Sequence, residues 1–132
     1  MITLITKTTS LSDSYKLGTI EDVVKYCHNK EVLGVDTETE GFDFTCKKMI
    51  MFQIGDEHQQ FVIDTRFIDI SPLKNILESP AITKIFHNAK FDYKFIKKWS
   101  GIECDGVYDT FLVERILSCG RHIGYGLKDL CK

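Results

Sequence analysis

Three acidic residues at alternate positions, Asp36, Glu38 and Glu40, form the first group in this sequence whose spacing indicates chemistry. They follow the apolar run from Val32 to Val35, which is typical of a buried strand. Side chains alternate between the faces of a strand, so the three carboxylates would share one face at intervals of roughly 6.6 Å. Carboxylates crowded on an interior strand repel one another, and a divalent cation removes that cost. Oxygen-rich sites suit Mg²⁺ or Mn²⁺, so the pattern predicts that Asp36 and Glu38 bind metal.

A further acid, Asp92, interrupts the amphipathic pattern of a helix predicted at 88–99. At about 100° per residue, the apolar face of that helix consists of Ala89, Phe91, Phe95, Ile96 and Trp99. Asp92 falls within this face, and the four lysines of the helix point away from it. Two interpretations stay open for Asp92 alone: a buried acid bonded to backbone amides, or a metal ligand.

Asp36, Glu38 and Asp92 come from separate predicted elements, and each is difficult to explain alone. Together they resemble in kind the acids of a two-metal phosphoryl-transfer site, where a bridging carboxylate holds ions roughly 3.5–4 Å apart. We therefore expect the three side chains to converge on one metal site.

The composition is that of an ordinary soluble domain, and it excludes several classes of protein. The 132 residues are 43% apolar and 27% charged, which suits one domain with a real core. The net charge of −2 argues against a basic surface that coats nucleic acid, although bound metal ions would supply positive charge. The five cysteines are scattered without a Cys-x-x-Cys pair, which predicts free thiols and a cytoplasmic location.

The elements that must position these acids alternate between strands and helices, after residues 1–18, which are interpreted as an extended lead-in with a Ser/Thr-rich part. Thr19 is predicted to cap a helix, and strands are expected at 31–38, 47–55, 60–64, 82–86 and 102–107. The second and third strands are expected to form an antiparallel hairpin, and Ser71 with Pro72 to open a helix. Helices at 88–99, from Asp109 to about 118 and from 124 complete an α/β domain, with a turn at 119–122. Asp109 is interpreted as a helix N-cap.

Two segments resemble the first two motifs of the DEDD 3′–5′ exonucleases. Residues 35–42, VDTETEGF, resemble the first motif, and residues 88–92, NAKFD, match the second motif, Asn-x-x-x-Phe/Tyr-Asp. Residues 107–112 and 126–130 are similar to the segment that follows in the proofreading domain of polymerase-I-type DNA polymerases. The resemblance implies a ribonuclease-H-like fold with a mixed five-stranded sheet flanked by helices. It also implies removal of nucleotides from a 3′ end with two Mg²⁺ or Mn²⁺ ions.

The same resemblance assigns roles to single residues. Asp36, Glu38 and Asp92 take the catalytic, metal-ligand positions, with Asp36 bridging both ions. Phe42 matches the apolar residue that packs against the terminal bases. Thr39 and Asn88 match residues that line the nucleotide site, and Thr37 and His87 are the other predicted substrate-binding residues. His87 lies beside Asn88 at a predicted strand end, and two interpretations stay open for it: contact with a phosphate, or a packed or solvated histidine. The implied partner is the single-stranded 3′ end of DNA, and the implied context is a polymerase domain fused to or associated with this one.

The family also requires a third motif, Tyr-x-x-x-Asp or His-x-x-x-x-Asp. Tyr125 and Asp129 satisfy the first form literally, but they follow Asp92 too closely, and we interpret them as a chance match. We therefore expect the true third motif beyond Lys132. On this interpretation residues 1–132 are one partial, C-terminally truncated domain that lacks one ligand and has weak or no activity.

Two alternatives to a DNA exonuclease remain. One is an RNA 3′-trimming enzyme of the ribonuclease D type, which sequence alone barely separates from the first. The other is a catalytically inactive nucleic-acid-binding module. The lysines of the helix at 88–99 are most simply a solvated face, with contact to a nucleic-acid backbone as the alternative.

Overall fold

A mixed sheet organises the part of the chain described by this computed structural model, namely residues 1–7, 15–119, 121 and 124–131. Its strands are β1 Ile2–Ile5, β2 Lys16–Leu17, β3 Val32–Thr39, β4 Met49–Gly55, β5 Gln60–Asp64, β6 Thr83–Phe86 and β7 Val107–Asp109. The strands lie in the order β2-β1-β5-β4-β3-β6-β7. The acid-bearing strand β3 is interior, antiparallel to β4 and parallel to β6, and β4 and β5 form the predicted antiparallel hairpin.

The described sheet therefore has seven strands, and the prediction of five was wrong. The two additional strands come from residues 1–18, which the sequence indicated only as an extended lead-in. Strand β1 pairs in parallel with β5, for example Ile2 with Gln60, and this contact between distant residues has no local sequence signature. The Ser/Thr-rich part of the lead-in, at 8–14, lies outside the described residues, as does part of the predicted turn at 119–122.

The helices are α1 Ile20–Cys27, α2 Lys74–Leu77, α3 Ala89–Ser100, α4 Thr110–Leu117 and α5 Leu127–Leu130. Thr19 caps α1 as predicted, in a capping box with Asp22. The predicted start at Ser71 differs, because Ser71–Leu73 is a 3₁₀ turn and Ser71 is not its cap. Asp69 stabilises this turn instead, accepting hydrogen bonds from the backbone N–H and the hydroxyl of Ser71 at 2.9 and 2.7 Å.

Alternate residues of β3 point to opposite faces of the sheet, one buried and one exposed. Leu33, Val35 and Thr37 are buried in the core, whereas Asp36 and Glu38 project from the opposite face and are exposed. The same core cluster includes residues from α1 and α3, among them Val23, Cys27, Phe95 and Ile96. The face that carries the acids is thus the open face of this part of the chain.

Two predictions for the second half of the chain differ from the structure. Trp99 was expected on the apolar face of α3, but it is 42% exposed and its indole N–H donates to the Lys47 carbonyl at 3.0 Å. The last turn of α3 therefore lies over the loop before β4 rather than over the core. The strand predicted at 102–107 is also displaced, because β7 pairs with β6 only from Val107 to Asp109. Gly101 ends α3, with φ of 71°.

All five cysteines are free thiols, in agreement with the prediction. Burial raises the pKa of the Cys27 thiol to about 12, so this side chain acts as a small apolar core residue. In the described residues, no helix combines the length and apolar character needed to cross a bilayer.

Candidate active site

Strand alternation alone positions the first two acids. Asp36 lies opposite Gln53 of β4 and Glu38 lies opposite Met51, and the register shifts immediately after Glu38. Both acids occupy the open face of the sheet. Glu40 differs from them, because its carboxylate accepts a hydrogen bond from the Lys48 backbone N–H at 3.1 Å and stabilises the loop. Glu40, which follows the last residue of β3, is thus separate from the two acids on the strand.

Asp92 occupies a different environment, inside the core. It is 3% exposed, and its Oδ1 accepts a hydrogen bond from the Thr37 hydroxyl at 2.6 Å. Burial raises the pKa of Asp92 to about 6; the nearby charge of Asp36 raises it as well, and the bond from Thr37 opposes both effects. The partner of this buried acid is therefore a side chain of the first motif, and not only backbone amides.

Thr37 thus links the two motifs. It lies between Asp36 and Glu38 in sequence but points to the opposite, buried face, where it is 7% exposed. The sequence comparison predicted that Thr37 contacts substrate, whereas the structure places its hydroxyl on Asp92. Sequence reasoning missed this role, although the period-two alternation of β3 already directs Thr37 to the core.

In the described part of the chain, no group of three or more His, Cys, Asp and Glu side chains lies close enough together to hold a metal ion. The charge of Asp36 contributes to the raised pKa of Asp92, so these two acids interact electrostatically. Convergence of all three acids on one ion accordingly stays a prediction.

Three of the remaining predicted site residues, Phe42, His87 and Asn88, line one or other of two open cavities. The larger, of about 810 Å³, lies on the open face of the sheet and includes Asp36, Gln53 and His87 in its lining. The smaller, of about 430 Å³, is lined by Phe42 and Asn88 together with residues of α3. The structure therefore brings Asp36 near His87, and Phe42 near Asn88.

The smaller cavity is lined mainly by aromatic side chains, with two lysines and one acid, Asp43. Phe42 is 92% exposed and its ring meets the edge of Phe91 at 6.2 Å between centroids. Lys94 lies over the ring of Phe44 at 5.2 Å, and both residues line the cavity with Lys90. Exposed aromatic faces beside lysines are the features with which proteins stack bases and hold a backbone of phosphates. Thr39 is less available, since its hydroxyl donates to the Gly41 carbonyl at 2.8 Å.

Tyr125, which with Asp129 matches the third motif in form, is turned toward its own segment. Its hydroxyl donates to the Arg121 carbonyl at 2.7 Å, and it lies 2.8 Å from the Ser118 hydroxyl. The ring packs against Phe111. Asp129 packs against Gly124, and Leu127 is the residue of this segment that lines the larger cavity.

Comparisons with known proteins find a matching family model and similar sequences. The family model described as 3′-5′ exonuclease matches residues 14–132. The DNA polymerase I of Aquifex aeolicus is 34% identical over 104 residues, which are 78% of this chain and 17% of that protein. The exosome complex component 10 of Homo sapiens is 31% identical over 96 residues, which are 71% of this chain and 11% of that protein. The chain thus spans less than a fifth of either relative.

Solved structures show the same fold. Escherichia coli RNase D, an exoribonuclease involved in structured RNA processing, superposes with a TM-score of 0.72 at 24% identity, covering 84% of this chain and 29% of that one. The mixed sheet flanked by helices is accordingly ribonuclease-H-like, as predicted. With matches in sequence and in fold, the chain belongs to the DEDD family of 3′-5′ exonucleases.

Proposed function

We propose that this chain is the metal-dependent 3′–5′ exonuclease domain of a DNA-processing enzyme, a proofreading domain associated with a polymerase. Asp36, Glu38 and Asp92 are its catalytic carboxylates. The observation that carries the proposal is the 2.6 Å bond from Thr37 to Asp92, because it fastens the acid of the second motif to the strand that bears the acids of the first. The similarity to a DNA polymerase I supports DNA as the substrate.

The donor set fits a hard divalent cation. Asp36 and Glu38 offer exposed carboxylate oxygens on one strand face, and Asp92 is close enough to Asp36 for their charges to interact. A cation near these groups would favour the ionised form of Asp92 and offset the cost of its burial. Two Mg²⁺ or Mn²⁺ ions supply, when bound, the positive charge that activates water and neutralises the leaving oxygen.

The smaller cavity is the proposed site of the terminal nucleotide. Phe42 presents almost its whole ring to solvent, which suits it to stack on a base, and Asn88 lies at the same cavity. Lys90 and Lys94 supply local positive charge in a chain whose net charge is −2. His87 lines the larger cavity with Asp36, and in this proposal it contacts a phosphate. Thr37 serves in this proposal to hold Asp92, and Thr39 to shape the turn that carries Phe42.

The proposal assigns the fourth carboxylate, and the Tyr or His that orients the attacking water, to residues outside 1–132. The bonding of Tyr125 within its own segment supports this division. We expect the 132-residue chain alone to show weak or no nuclease activity. Robust Mg²⁺-dependent cleavage by that chain would instead identify Tyr125 and Asp129 as the third motif.

The test is degradation of 3′-labelled single-stranded DNA in Mn²⁺ by a chain extended past residue 132. Asp36→Ala and Asp92→Ala are expected to abolish stepwise cleavage, and Glu40→Gln, an exposed acid on the same segment, is the matched control. If either alanine variant degrades DNA as fast as the parent, the site is wrong. If the parent binds DNA and never cuts it, the chain is an inactive nucleic-acid-binding module.

A second candidate, 3′ trimming of RNA, is favoured by the 31% identity to an exosome component. The 2′-hydroxyl is the chemical difference between the two substrates. Parallel assays with DNA and RNA of one sequence separate the candidates. Faster loss of RNA by the extended chain would replace the DNA assignment and leave the carboxylate roles intact.

A further inference from the structure

Asp109, at the end of β7, accepts hydrogen bonds from two helices at once. The backbone N–H groups of Phe111 and Leu112, in the first turn of α4, donate to Oδ1 at 2.9 and 3.4 Å. The backbone N–H of Asn88 donates to the same oxygen at 2.9 Å, and that of Ala89 donates to Oδ2 at 2.9 Å. The side chain is nearly buried, at 9% exposure. The sequence predicted only the local cap of α4.

The start of α3 depends on this carboxylate. Asn88 adopts a left-handed conformation, with φ of 68° and ψ of 52°, and its own side chain makes no capping bond. A non-glycine residue in this conformation is strained, and the first N–H groups of a helix have no partner within the helix. Asp109 supplies the missing acceptor at the junction where the chain turns from β6 into α3.

Two further hydrogen bonds, both made by the Thr110 hydroxyl, hold the same junction. The Thr110 hydroxyl donates to the Phe86 carbonyl at 3.1 Å and lies 2.9 Å from Nδ1 of His87. A hydroxyl has one proton, so Nδ1 of His87 must be the donor to Thr110. Residues 86–89 are therefore held at four successive positions by two adjacent residues, Asp109 and Thr110.

We infer that Asp109 is a positioning residue for the second-motif helix. By fixing the direction in which α3 leaves β6, it sets the place of Asp92, one turn into that helix, against Thr37. Without this anchor the first turn of α3 can move, and Asp92 is then displaced from its position relative to Asp36 and Glu38. The anchoring stands on the hydrogen bonds; its effect on metal binding rests on the proposed function.

Asp109→Ser separates the two roles of the side chain. Serine is a good N-cap and keeps the bond to the first turn of α4, but one short hydroxyl cannot also receive the N–H groups of Asn88 and Ala89. Thr19→Ala is the matched control, because it removes the cap of α1, which lines neither cavity. Asp109→Asn, which keeps one acceptor oxygen, is the milder second variant if Asp109→Ser does not fold.

Two readouts on the 132-residue chain are compared. Amide hydrogen exchange measured by NMR is expected to speed at least about 10-fold at Asn88 and Ala89 in Asp109→Ser, with Phe111 still protected. Mn²⁺ affinity measured by calorimetry is expected to fall about 10-fold, as for residues that orient metal ligands, and to stay unchanged in Thr19→Ala. Asp36→Ala serves as the reference for the metal site.

The outcomes separate this inference from the proposed function. Unchanged exchange at Asn88 and Ala89 would overturn the anchoring. Faster exchange with the same Mn²⁺ affinity as Thr19→Ala would overturn the positioning role, provided that Asp36→Ala weakens Mn²⁺ binding. Full Mn²⁺ affinity in Asp36→Ala would instead overturn the proposed metal site. The hydrogen-exchange rates at Asn88 and Ala89 would then be the test of the anchoring by Asp109.

Discussion

Asp36 and Asp92 bear the same functional group in opposite surroundings. Asp36 is exposed on the open face of β3, where strand alternation is enough to present it. Asp92 is buried in α3, and it keeps its place through the Thr37 hydroxyl and through a helix start that Asp109 holds. Substitution of the exposed Asp36 should therefore change the free energy of unfolding little. The buried Asp92 lowers the free energy of unfolding whenever it is ionised.

This difference has a defined pH dependence. The pKa of Asp92 is raised to about 6 in the folded chain, above its ordinary value of 3.8, chiefly by burial. Between these two values the folded state binds more protons than the unfolded state, so stability falls as pH rises across that window. Below about pH 4 the penalty vanishes, and above about pH 6 it is complete. At about 1.4 kcal/mol for each pH unit between the two values, it is about 3 kcal/mol.

The largest expected effect tests whether the two acids are functionally equal. In the extended chain, Asp36→Ala and Asp92→Ala should each lower the rate of 3′-end cleavage by at least about 100-fold, because each removes a metal ligand. Rates under single-turnover conditions measure this loss. A residual rate in either variant close to that of Glu40→Gln would show that the two acids are not partners in one site.

The second effect separates the two acids by stability. In EDTA at pH 7, Asp92→Asn should raise the free energy of unfolding by about 3 kcal/mol, since it removes a buried charge and keeps the acceptor for Thr37. Asp36→Asn should change it by less than about 0.5 kcal/mol, because Asp36 is exposed. Urea unfolding at pH 7 and at pH 4 provides the measurement. The advantage of Asp92→Asn should disappear at pH 4, and a constant advantage would contradict the raised pKa.

The smallest effect concerns the link between the acids. Thr37→Val keeps the shape of the side chain and removes the donor to Asp92, so it should cost about 1 kcal/mol at pH 7 and less at pH 4. The pKa of Asp92 should rise further, as followed by carboxyl NMR, because the Thr37 bond lowers it. Thr65→Val removes a hydroxyl bond to the Met49 carbonyl and is the control. An equal pH dependence in both variants would show that Thr37 does not act through Asp92.

The contrast between these acids also explains what could be predicted from sequence. Asp36 and Glu38 were found by period-two alternation, and Asp92 by its position within an apolar helix face, because both signals are local. The partner of Asp92 is a residue 55 positions away, and the hydrogen bonds from Asn88 and Ala89 to Asp109 span about 20 positions. Strands β1 and β2 were missed as strands for the same reason, since their pairing is non-local. Local patterns identified the chemical groups, and tertiary contacts determined what holds them.

The central claim is that an exposed acid of β3 and a buried acid of α3 act together on a divalent ion. A double-mutant cycle in Mn²⁺ binding, with Asp36→Asn, Asp92→Asn and both together, tests it most directly. Two ligands of one site should show a coupling free energy of roughly 0.5–3 kcal/mol, with the double variant binding little worse than the weaker single variant. Additive losses with no coupling, or full Mn²⁺ affinity in Asp92→Asn, would contradict the claim.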